Sequence, residues 1–205
     1  MIKFGTDGWR ALIAHDFTFD NLKKVAYALA TYLKDQGKGK NGIAVGFDNR
    51  FQSEAFAETA AQVCSGAGIK TLLSPHSIPS PALSLAVKEL GLDAGIMITA
   101  SHNPPAWNGF KIKESFGGSA FPETTREVEA RIKDGIEIPT SSSLIKIFDP
   151  DPIYLKKLRS LVDIEEIRSH KLKIVVDPMY GSGSGYFKKL GLEVIEIRGH
   201  RDPLF

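Results

Sequence analysis

Residues 96–113 read IMITASHNPPAWNGFKIK, and the interpretation of the whole chain starts from this stretch. An apolar run that ends in small and polar residues, followed by a Pro-Pro pair, predicts a buried strand that opens into a constrained loop. Ser101 then lies just beyond the end of that strand. Reactive groups are often found at such strand ends, so Ser101 is the first candidate for a functional residue.

The second half of the stretch predicts that the chain turns back. Asn108-Gly109 is a turn signal, because glycine adopts positive φ angles without steric cost. The next four residues alternate at period two, which places two apolar side chains on one face of a strand and Lys111 and Lys113 on the other. If the apolar face packs on the core, both ammonium groups can face the loop that holds the serine.

A hydroxyl in a fixed loop, with a lysine returned beside it, suits phosphoryl transfer. Ser101 can carry a phosphoryl group of about −1.5 to −2 charges at neutral pH, and Lys111 can balance that charge. A lysine whose pKa falls through partial burial can also move a proton. The competing enzyme class is a serine hydrolase, because His102 is adjacent to Ser101. It is disfavoured, since the serine lacks a Gly-x-Ser-x-Gly turn and an adjacent histidine is poorly placed to take its proton.

Helical and strand patterns alternate through the first hundred residues. Apolar residues recur at spacings of three and four after Thr18 or Asp20, either of which can cap a helix that ends near Gly37. The further predicted elements are a strand at 42–47, a helix at 53–66, a strand at 69–73, a helix from Ser80 to Leu90 and a strand at 93–99. This alternation indicates an α/β fold, a layered mixed sheet with flanking helices and some parallel pairing.

The second part of the chain repeats the alternation after a break. A helix is predicted to open at Pro122, and residues 135–143, rich in Pro and Ser without periodicity, are predicted to be a linker. We therefore predict a first domain at 1–148 and the start of a second, similar domain at 149–205. The elements predicted there are a helix to about Val162, a strand at 172–177, a helix to Leu190 and a strand at 192–197. Such an incomplete domain would expose an apolar sheet edge.

Composition argues against several classes of function. Of 205 residues 42% are hydrophobic, enough for a packed core, and a net charge of +2 is too near balance to indicate a nucleic-acid or anionic-membrane partner. The single cysteine, Cys64, excludes an internal disulfide and fits a reducing compartment. No run approaches about twenty apolar residues, and the N-terminus shows no apolar signal core. The sequence therefore predicts a cytoplasmic protein without a membrane span.

Other segments add candidate site residues. The segment 4–10 has two glycines that favour a backbone able to approach a ligand, with Arg10 either an anion contact or an exposed residue of a structural turn. Asp48 and Arg50 follow a predicted strand, where they either meet a ligand or form an internal ion pair that shapes the loop. His76 has no metal-ligand partner at a useful spacing and is predicted to be a loop residue.

Three motifs occur in a fixed order along the chain. They are FGTDGWR at 4–10, VGFDNR at 45–50, and TASHNP at 99–104 followed by NGFK at 108–111. They resemble the N-terminal signature, the first strand-end motif and the phosphoserine loop of the α-D-phosphohexomutase family, the phosphoglucomutases and phosphomannomutases. The resemblance covers the whole chain and implies the first α/β domain of that family followed by part of the second.

The resemblance also implies an activity, the transfer of a phosphoryl group between the 1- and 6-positions of a hexose phosphate. Phosphorylated Ser101 would donate to one hydroxyl, and the bisphosphorylated sugar would turn around and return its other phosphate to Ser101. Mg²⁺ would be held through the seryl phosphate of Ser101, with glucose 1,6-bisphosphate as activator and intermediate. The residues assigned in this way are Ser101, Lys111 and His102 for catalysis, and Arg10, Asn103 and Arg50 for binding of substrate or phosphate. His102 has the alternative role of orienting the loop.

The motifs that the family carries in its later domains do not occur here. In particular, the Asp-Gly-Asp-x-Asp loop that supplies the metal-binding aspartates is absent. We therefore interpret the chain as the N-terminal portion of a phosphoglucomutase or phosphomannomutase, and expect this portion alone to be inactive because nothing holds the sugar in line with the serine. The alternative is a noncatalytic module that binds a phosphosugar or another protein.

Overall fold

A computed structural model describes residues 2–205. Within this range six strands form one mixed sheet, and in chain order they are β1 Trp9–Leu12, β2 Ile43–Phe47, β3 Thr71–Leu73, β4 Ala94–Ile98, β5 Trp107–Glu114 and β6 Ile145–Ile147. Their order across the sheet is β1-β5-β4-β2-β3-β6. Strands β4, β2, β3 and β6 are parallel, and β5 runs antiparallel to β1 and β4. The predicted α/β fold with a mixed sheet is confirmed.

Helices flank this sheet and continue beyond it. They are α1 Phe19–Asp35, α2 Ser53–Gly66, α3 Ser80–Glu89, α4 Pro122–Glu129, α5 Asp151–Leu161, α6 Ile164–Ser169 and α7 Tyr186–Lys189. Thr18 caps α1, because its hydroxyl accepts a hydrogen bond from the N–H of Asn21 at 3.3 Å. The helices predicted after Thr18, at 53–66, from Ser80 and from Pro122 are confirmed.

Packing on both faces of the sheet explains why the sequences of the central strands are continuous apolar runs. Side chains of β2 and β4 that point to α1 and α2, such as Val45 and Ile96, are buried in one cluster. Met97 points the other way and is buried with Ile78 and Leu83 beside α3. Because helices cover both faces, every position of β2 and β4 is buried. These two strands are therefore a rigid platform for the loops at their ends.

The turn predicted at Asn108-Gly109 is wrong. Both residues lie inside β5, where Gly109 pairs with Arg10 and its carbonyl accepts from the N–H of Thr99 at 2.9 Å. A Cβ at Gly109 would lie 2.6 Å from the carbonyl oxygen of Thr99 and 2.9 Å from that of Trp9. Glycine is required here because three backbones approach closely, a reason that the local sequence signal does not distinguish from a turn.

Three short elements have no counterpart in the sequence prediction. β1 occupies part of the segment for which an irregular backbone was expected, and β6 pairs with β3 after the predicted linker. α6 has six residues and is capped by the side chain of Asp163, which accepts from the N–H of Glu166. Elements of three to six residues contain too few positions for a periodic signal, so their partners elsewhere in the fold decide their conformation.

The end of the chain forms a smaller two-stranded parallel sheet of β7 Ile174–Val176 and β8 Val194–Glu196. Apolar side chains of this sheet are exposed, with Val175 at 60% and Ile195 at 62%. The domain boundary near Asp149 stays a prediction. Among residues 2–205, no helix combines the length and the apolar character that crossing a membrane requires.

Candidate functional site

The loops that follow β2 and β4 meet at one edge of the sheet. Because the two strands are adjacent and parallel, residues 48–50 and 99–101 leave the sheet side by side. A cavity of about 620 Å³ opens between these loops and the start of α3. Another cavity of about 630 Å³ lies elsewhere, beside α1 and α4, and none of the candidate site residues lines it. Arg50, Ser101, His102 and Asn103 line the first cavity, whereas Arg10 lines a separate cavity of about 420 Å³.

Ser101 lies in this cavity with an exposed side chain and a φ angle of +57°. A left-handed backbone is unfavourable for serine and is found mainly where surrounding contacts impose it. The Oγ of Ser101 is 3.4 Å from Nδ1 of His102. Within residues 2–205, no carboxylate hydrogen-bonds to the His102 ring, so the pair lacks the third group of a hydrolase triad.

Arg50 lies beneath the loop and only 1% of its surface is exposed. Its Nη1 donates to the carbonyls of Pro104 and Trp107, both at 3.0 Å. Its Nη2 donates to the carbonyls of Ser101 at 2.6 Å and Asn103 at 2.7 Å. These four contacts favour the alternative in which Arg50 shapes the loop. Its contact with phosphate stays a prediction.

The Asp48 side chain lies beside Arg50 and is 14% exposed, and its Oδ2 lies 3.4 Å from the Arg50 Nε. Its oxygens accept from the Thr99 hydroxyl at 2.5 Å, the Ser53 hydroxyl at 2.9 Å and the Arg50 N–H at 3.1 Å. Burial outweighs these hydrogen bonds and raises the pKa of the Asp48 carboxyl above its ordinary value. The same Thr99 hydroxyl accepts from the N–H of Ser101 at 2.9 Å. Asp48 therefore reaches the serine backbone through Thr99.

Three cations lie around one carboxylate where β1 meets β5. Lys111 Nζ is 2.5 Å from Oδ2 of Asp7, and Arg10 Nη2 is 3.4 Å from the same oxygen. Lys113 contacts the hydroxyl of Ser119 at 3.3 Å, and that hydroxyl donates to Oδ1 of Asp7 at 3.1 Å. Both lysines are more than nine-tenths buried. The positive charges exceed the negative ones here, which suits the binding of a phosphate dianion.

In this cation cluster of Arg10, Lys111 and Lys113, the charge of Lys111 affects the pKa of both Asp7 and Lys113. Although burial opposes ionisation of Asp7, the hydrogen bond and charge of Lys111 hold the pKa of Asp7 below its ordinary value. Burial lowers the pKa of Lys113, and the charge of Lys111 adds to that effect against the attraction of Asp7. Arg10 Nη1 also donates to Oδ1 of Asn103 at 2.8 Å. The structure thus joins Arg10, Asn103 and Lys111 into one connected set beside the serine loop.

His76 lies in a loop, as predicted, but the structure brings to it two carboxylates that the sequence spacing did not reveal. Its Nε2 lies 3.2 Å from Oδ1 of Asp149 and 3.8 Å from Oδ2 of Asp151, so three possible ligand atoms converge. The sequence hid this because 73 residues separate His76 from Asp149. Asp151 already accepts from the Tyr186 hydroxyl at 2.5 Å and contacts the Lys189 ammonium. Burial and the hydrogen bond to Asp151 raise the pKa of Tyr186.

The described residues do not form the Mg²⁺ site that the resemblance implies. Mg²⁺ is held mainly by carboxylates and water in near-octahedral geometry. The carboxylate that lines the cavity is Asp48, and both of its oxygens already accept hydrogen bonds. The His76 cluster offers a ring nitrogen and two aspartates, of which Asp151 is paired with Lys189. A phosphate on Ser101 is therefore the metal contact that remains as a prediction.

Three supporting residues were not identified from the sequence patterns. Thr99 and Asp7 lie within the quoted motifs, but no role was assigned to either. Asn108 was interpreted as a turn residue, whereas it is fully buried and its Nδ2 donates to the hydroxyl of Ser53 at 2.9 Å. A polar residue that interrupts an apolar strand is the signal that could have identified Asn108, since a buried amide needs a partner.

The end of the chain contributes to the rim of the cavity. Met179, Gly181 and Ser182 line it together with Leu204 and Phe205. The side-chain amide of Asn49 donates to the carbonyl of Tyr180 at 2.8 Å. Residues after 177, in which the sequence indicated no catalytic role, are thus in contact with the loop after β2.

Comparison with known proteins gives a consistent set of relatives. The profile of a family described as phosphoglucomutase/phosphomannomutase, alpha/beta/alpha domain I, matches residues 1–138. A phosphoglucomutase from Staphylococcus saprophyticus is 33% identical over 201 residues, which cover 89% of this chain and 35% of the relative. A phosphoglucosamine/phosphogalactosamine mutase from Sulfurisphaera tokodaii is 32% identical over 216 residues, which cover 98% of this chain and 45% of the relative.

A solved structure agrees with these relatives. It is that of a Thermus thermophilus protein provisionally named a phosphomannomutase, and it superposes with a TM-score of 0.91 at 33% identity. The match covers 99% of this chain and 47% of the other. The chain therefore spans less than half the length of these relatives.

Proposed function

The chain belongs to the phosphoglucomutase/phosphomannomutase family, and on that premise we propose that it is the N-terminal portion of a phosphohexomutase in which Ser101 carries the phosphoryl group. The observation that carries the proposal is the exposed hydroxyl of Ser101 in the cavity, beside a cation cluster that Arg10 and Asn103 connect to its loop. The proposed substrates are hexose 1- and 6-phosphates, with glucose or mannose as the sugar. Relatives are named for both of these sugars and others for amino sugars, so the names support a hexose phosphate without selecting the sugar.

In the proposed reaction the bond between Ser101 Oγ and phosphorus breaks while phosphorus bonds to a hydroxyl oxygen of the hexose phosphate. The sugar hydroxyl loses its proton, and the serine oxygen gains one. His102 Nδ1, 3.4 Å from the serine Oγ, is placed to hold the proton at that oxygen. Lys111 and Arg10 balance the charge of the phosphoryl group, and Lys111 can also supply a proton. Transfer back from the other position of the sugar gives the isomer and restores phosphorylated Ser101.

We propose little or no turnover by the 205-residue chain itself. Among its described residues, none supplies the aspartates of the implied Mg²⁺ site, and turnover requires groups that hold the sugar in line with Ser101. Mg²⁺ and glucose 1,6-bisphosphate belong to the proposal for the longer enzyme. So do a cytoplasmic location and a domain boundary near Asp149.

Intact mass and phosphopeptide mapping, before and after incubation with glucose 1,6-bisphosphate and Mg²⁺, test the proposal. A single transfer to Ser101 does not require the sugar to turn around and react a second time, so we expect one phosphate on Ser101, none in Ser101→Ala, and an unchanged gain in Ser142→Ala, which removes an exposed hydroxyl from a surface loop. The same test is applied to a family-length chain, that is, a chain as long as the relatives. If phosphate appears only there, segments beyond these 205 residues are needed for Ser101 to accept it. Absence of phosphate from both chains would refute the phosphoserine mechanism.

Two other functions give different results in the same set of experiments. The short distance between Ser101 and His102 is the observation in favour of a serine hydrolase, and a fluorophosphonate label on Ser101 would support it. A noncatalytic module would bind a hexose phosphate saturably without any transfer of phosphate. The connected cations beside Ser101 favour phosphoryl transfer over the hydrolase, because a neutral ester or amide substrate has no need of them.

A further inference from the structure

We propose that Asp48, Thr99 and Arg50 are positioning residues that hold the backbone of Ser101 in its left-handed conformation and so fix its hydroxyl for phosphoryl transfer. The inference rests on the proposed function for its catalytic consequence. Its structural part, the hold on the Ser101 backbone, can be tested separately.

The hold acts on both sides of the serine. On the carbonyl side, the buried guanidinium of Arg50 donates to the oxygens of Ser101, Asn103 and Pro104, which are spread over the loop. Arginine is suited to this task, because its rigid fork of donors cannot satisfy several carbonyls unless the loop has one shape. The loop conformation is therefore tied to a buried side chain that cannot move without breaking its hydrogen bonds to these carbonyls.

On the amide side, the hydrogen bonds have a fixed direction. The Thr99 hydroxyl has one proton, and it lies 2.5 Å from a carboxylate oxygen of Asp48. The carboxylate can only accept in its ionised form, so Thr99 donates to Asp48 and its lone pairs face the N–H of Ser101 at 2.9 Å. Asp48 in turn is held by the Ser53 hydroxyl and by Arg50. Ionised Asp48 thereby orients the group that fixes the Ser101 amide.

These contacts explain a backbone conformation that serine does not favour. Ser101 has φ of +57°, in a region where L-residues other than Asn, Asp and Gly are uncommon. Without contacts on its amide and its carbonyl, we expect the peptide to relax to negative φ and the Oγ to change direction. Misplacement of a reacting group by about 1 Å can slow a reaction by about a hundredfold.

The experiment uses two substitutions at Thr99 in the 205-residue chain. Thr99→Val keeps the shape and removes the hydroxyl, and Thr99→Ser keeps the hydroxyl. Thr59→Val is the matched control, because the Thr59 hydroxyl donates only to the carbonyl of Ala55 within its own helix. Two quantities are measured: the rate of phosphate incorporation at Ser101 from glucose 1,6-bisphosphate with Mg²⁺, and the nuclear Overhauser effect between the amide proton and Hα of Ser101, which is strong at positive φ.

We expect Thr99→Val to lose the strong signal at Ser101 and to incorporate phosphate about a hundredfold more slowly. Thr99→Ser should restore both quantities, and Thr59→Val should leave both as in wild type. A Thr99→Val chain that keeps the strong signal, or that keeps the wild-type rate, would overturn the inference. If neither the wild-type chain nor a family-length chain takes up phosphate, the proposed function fails, and the signal at Ser101 in the three variants still decides whether the hold exists.

A second variant guards against a Thr99→Val chain that does not fold. Asp48→Asn keeps the volume of the side chain but replaces one acceptor oxygen with an NH2 group. The N–H of Arg50 requires an acceptor at the Oδ1 position, so the NH2 group faces Thr99 and the Thr99 hydroxyl loses its acceptor. The inference predicts the same weakening of the signal at Ser101 in this variant. An unchanged signal in a folded Asp48→Asn chain would refute the role of Asp48.

Discussion

Replacement of Gly109 by alanine tests the close approach of three backbones beside the site. The added Cβ would lie 2.6 Å from the Thr99 carbonyl oxygen, 2.9 Å from that of Trp9 and 3.1 Å from Cγ of Arg10. Two of these are backbone atoms on opposite sides of β5, so no side-chain rotation relieves the clash. Overpacking costs about 1–3 kcal/mol, and weakening of the bond from the Thr99 N–H to the Gly109 carbonyl costs about 1 kcal/mol more. We therefore expect Gly109→Ala to lower the free energy of unfolding by about 3 kcal/mol.

Urea unfolding followed by circular dichroism measures this change, which corresponds to a shift of the midpoint by about 1–2 M. Gly183→Ala is the matched control, because a Cβ there meets nothing within 4 Å, and its expected effect is below about 0.5 kcal/mol. If Gly109 instead occupied a turn with positive φ, Gly109→Asn would be tolerated better than Gly109→Ala. That order of stability, or a Gly109→Ala midpoint within about 0.3 M of wild type, would refute the reasoning.

Three further predictions concern charge, the thiol and the exposed sheet. Lys111 holds the pKa of Asp7 below its ordinary value of 3.8, so Asp7 stabilises the fold above that pH and the stabilisation is lost as pH falls through the folded-state pKa. Thermal melts should show Asp7→Asn destabilised at neutral pH and the difference from wild type gone in strong acid; a difference that persists in acid would contradict this. Burial raises the pKa of the Cys64 thiol to about 12, so it should react with a thiol reagent only as the chain unfolds, and rapid labelling of the native chain would disprove it. Val175→Lys, on the exposed face of β7, should change the free energy of unfolding by less than about 0.5 kcal/mol. It should also reduce any self-association measured by sedimentation velocity. Undiminished self-association would exclude this face as the contact between chains.

The helices and the central strands could be predicted because their side chains repeat over many positions. The apolar face of α1 recurs over seventeen residues and begins at a threonine cap, so both its period and its start were visible. β2 and β4 were recognisable as short apolar runs because both of their faces are buried. In these elements local pattern and tertiary packing agree.

The sequence-based predictions failed where a contact between residues distant in sequence determines the local structure. Gly109 lies in a strand because of its neighbours Trp9 and Thr99, and the local Asn-Gly pair gives no indication of them. His76 acquires carboxylate neighbours from residues 149 and 151, which only the folded chain brings near. Contacts of this kind leave no periodic pattern in the sequence, so they could not be predicted locally.

Part of the candidate site could be predicted because its residues are close together in the sequence. Ser101 could be singled out because a strand end, a constrained loop and a lysine on the next strand all lie within one short segment. The contact between Arg10 and Asn103 spans 93 residues, and the hold of Arg50 on the loop spans more than 50. Their places in the motifs identified these residues as candidates. Only the order of the strands in the sheet shows which of them are in contact.

The most direct test of the central claim is the chemical identity of a phosphate bound at the loop. A family-length chain would be labelled with ³²P from bisphosphorylated sugar, the label would be mapped by mass spectrometry, and its stability in acid and base would be compared. Phosphoserine resists acid, whereas a phosphate on the neighbouring His102 is lost in acid. We predict an acid-stable label on Ser101 that leaves when unlabelled hexose 6-phosphate is added. An acid-labile label on His102, or a label on Ser101 that hexose phosphate cannot remove, would contradict the account.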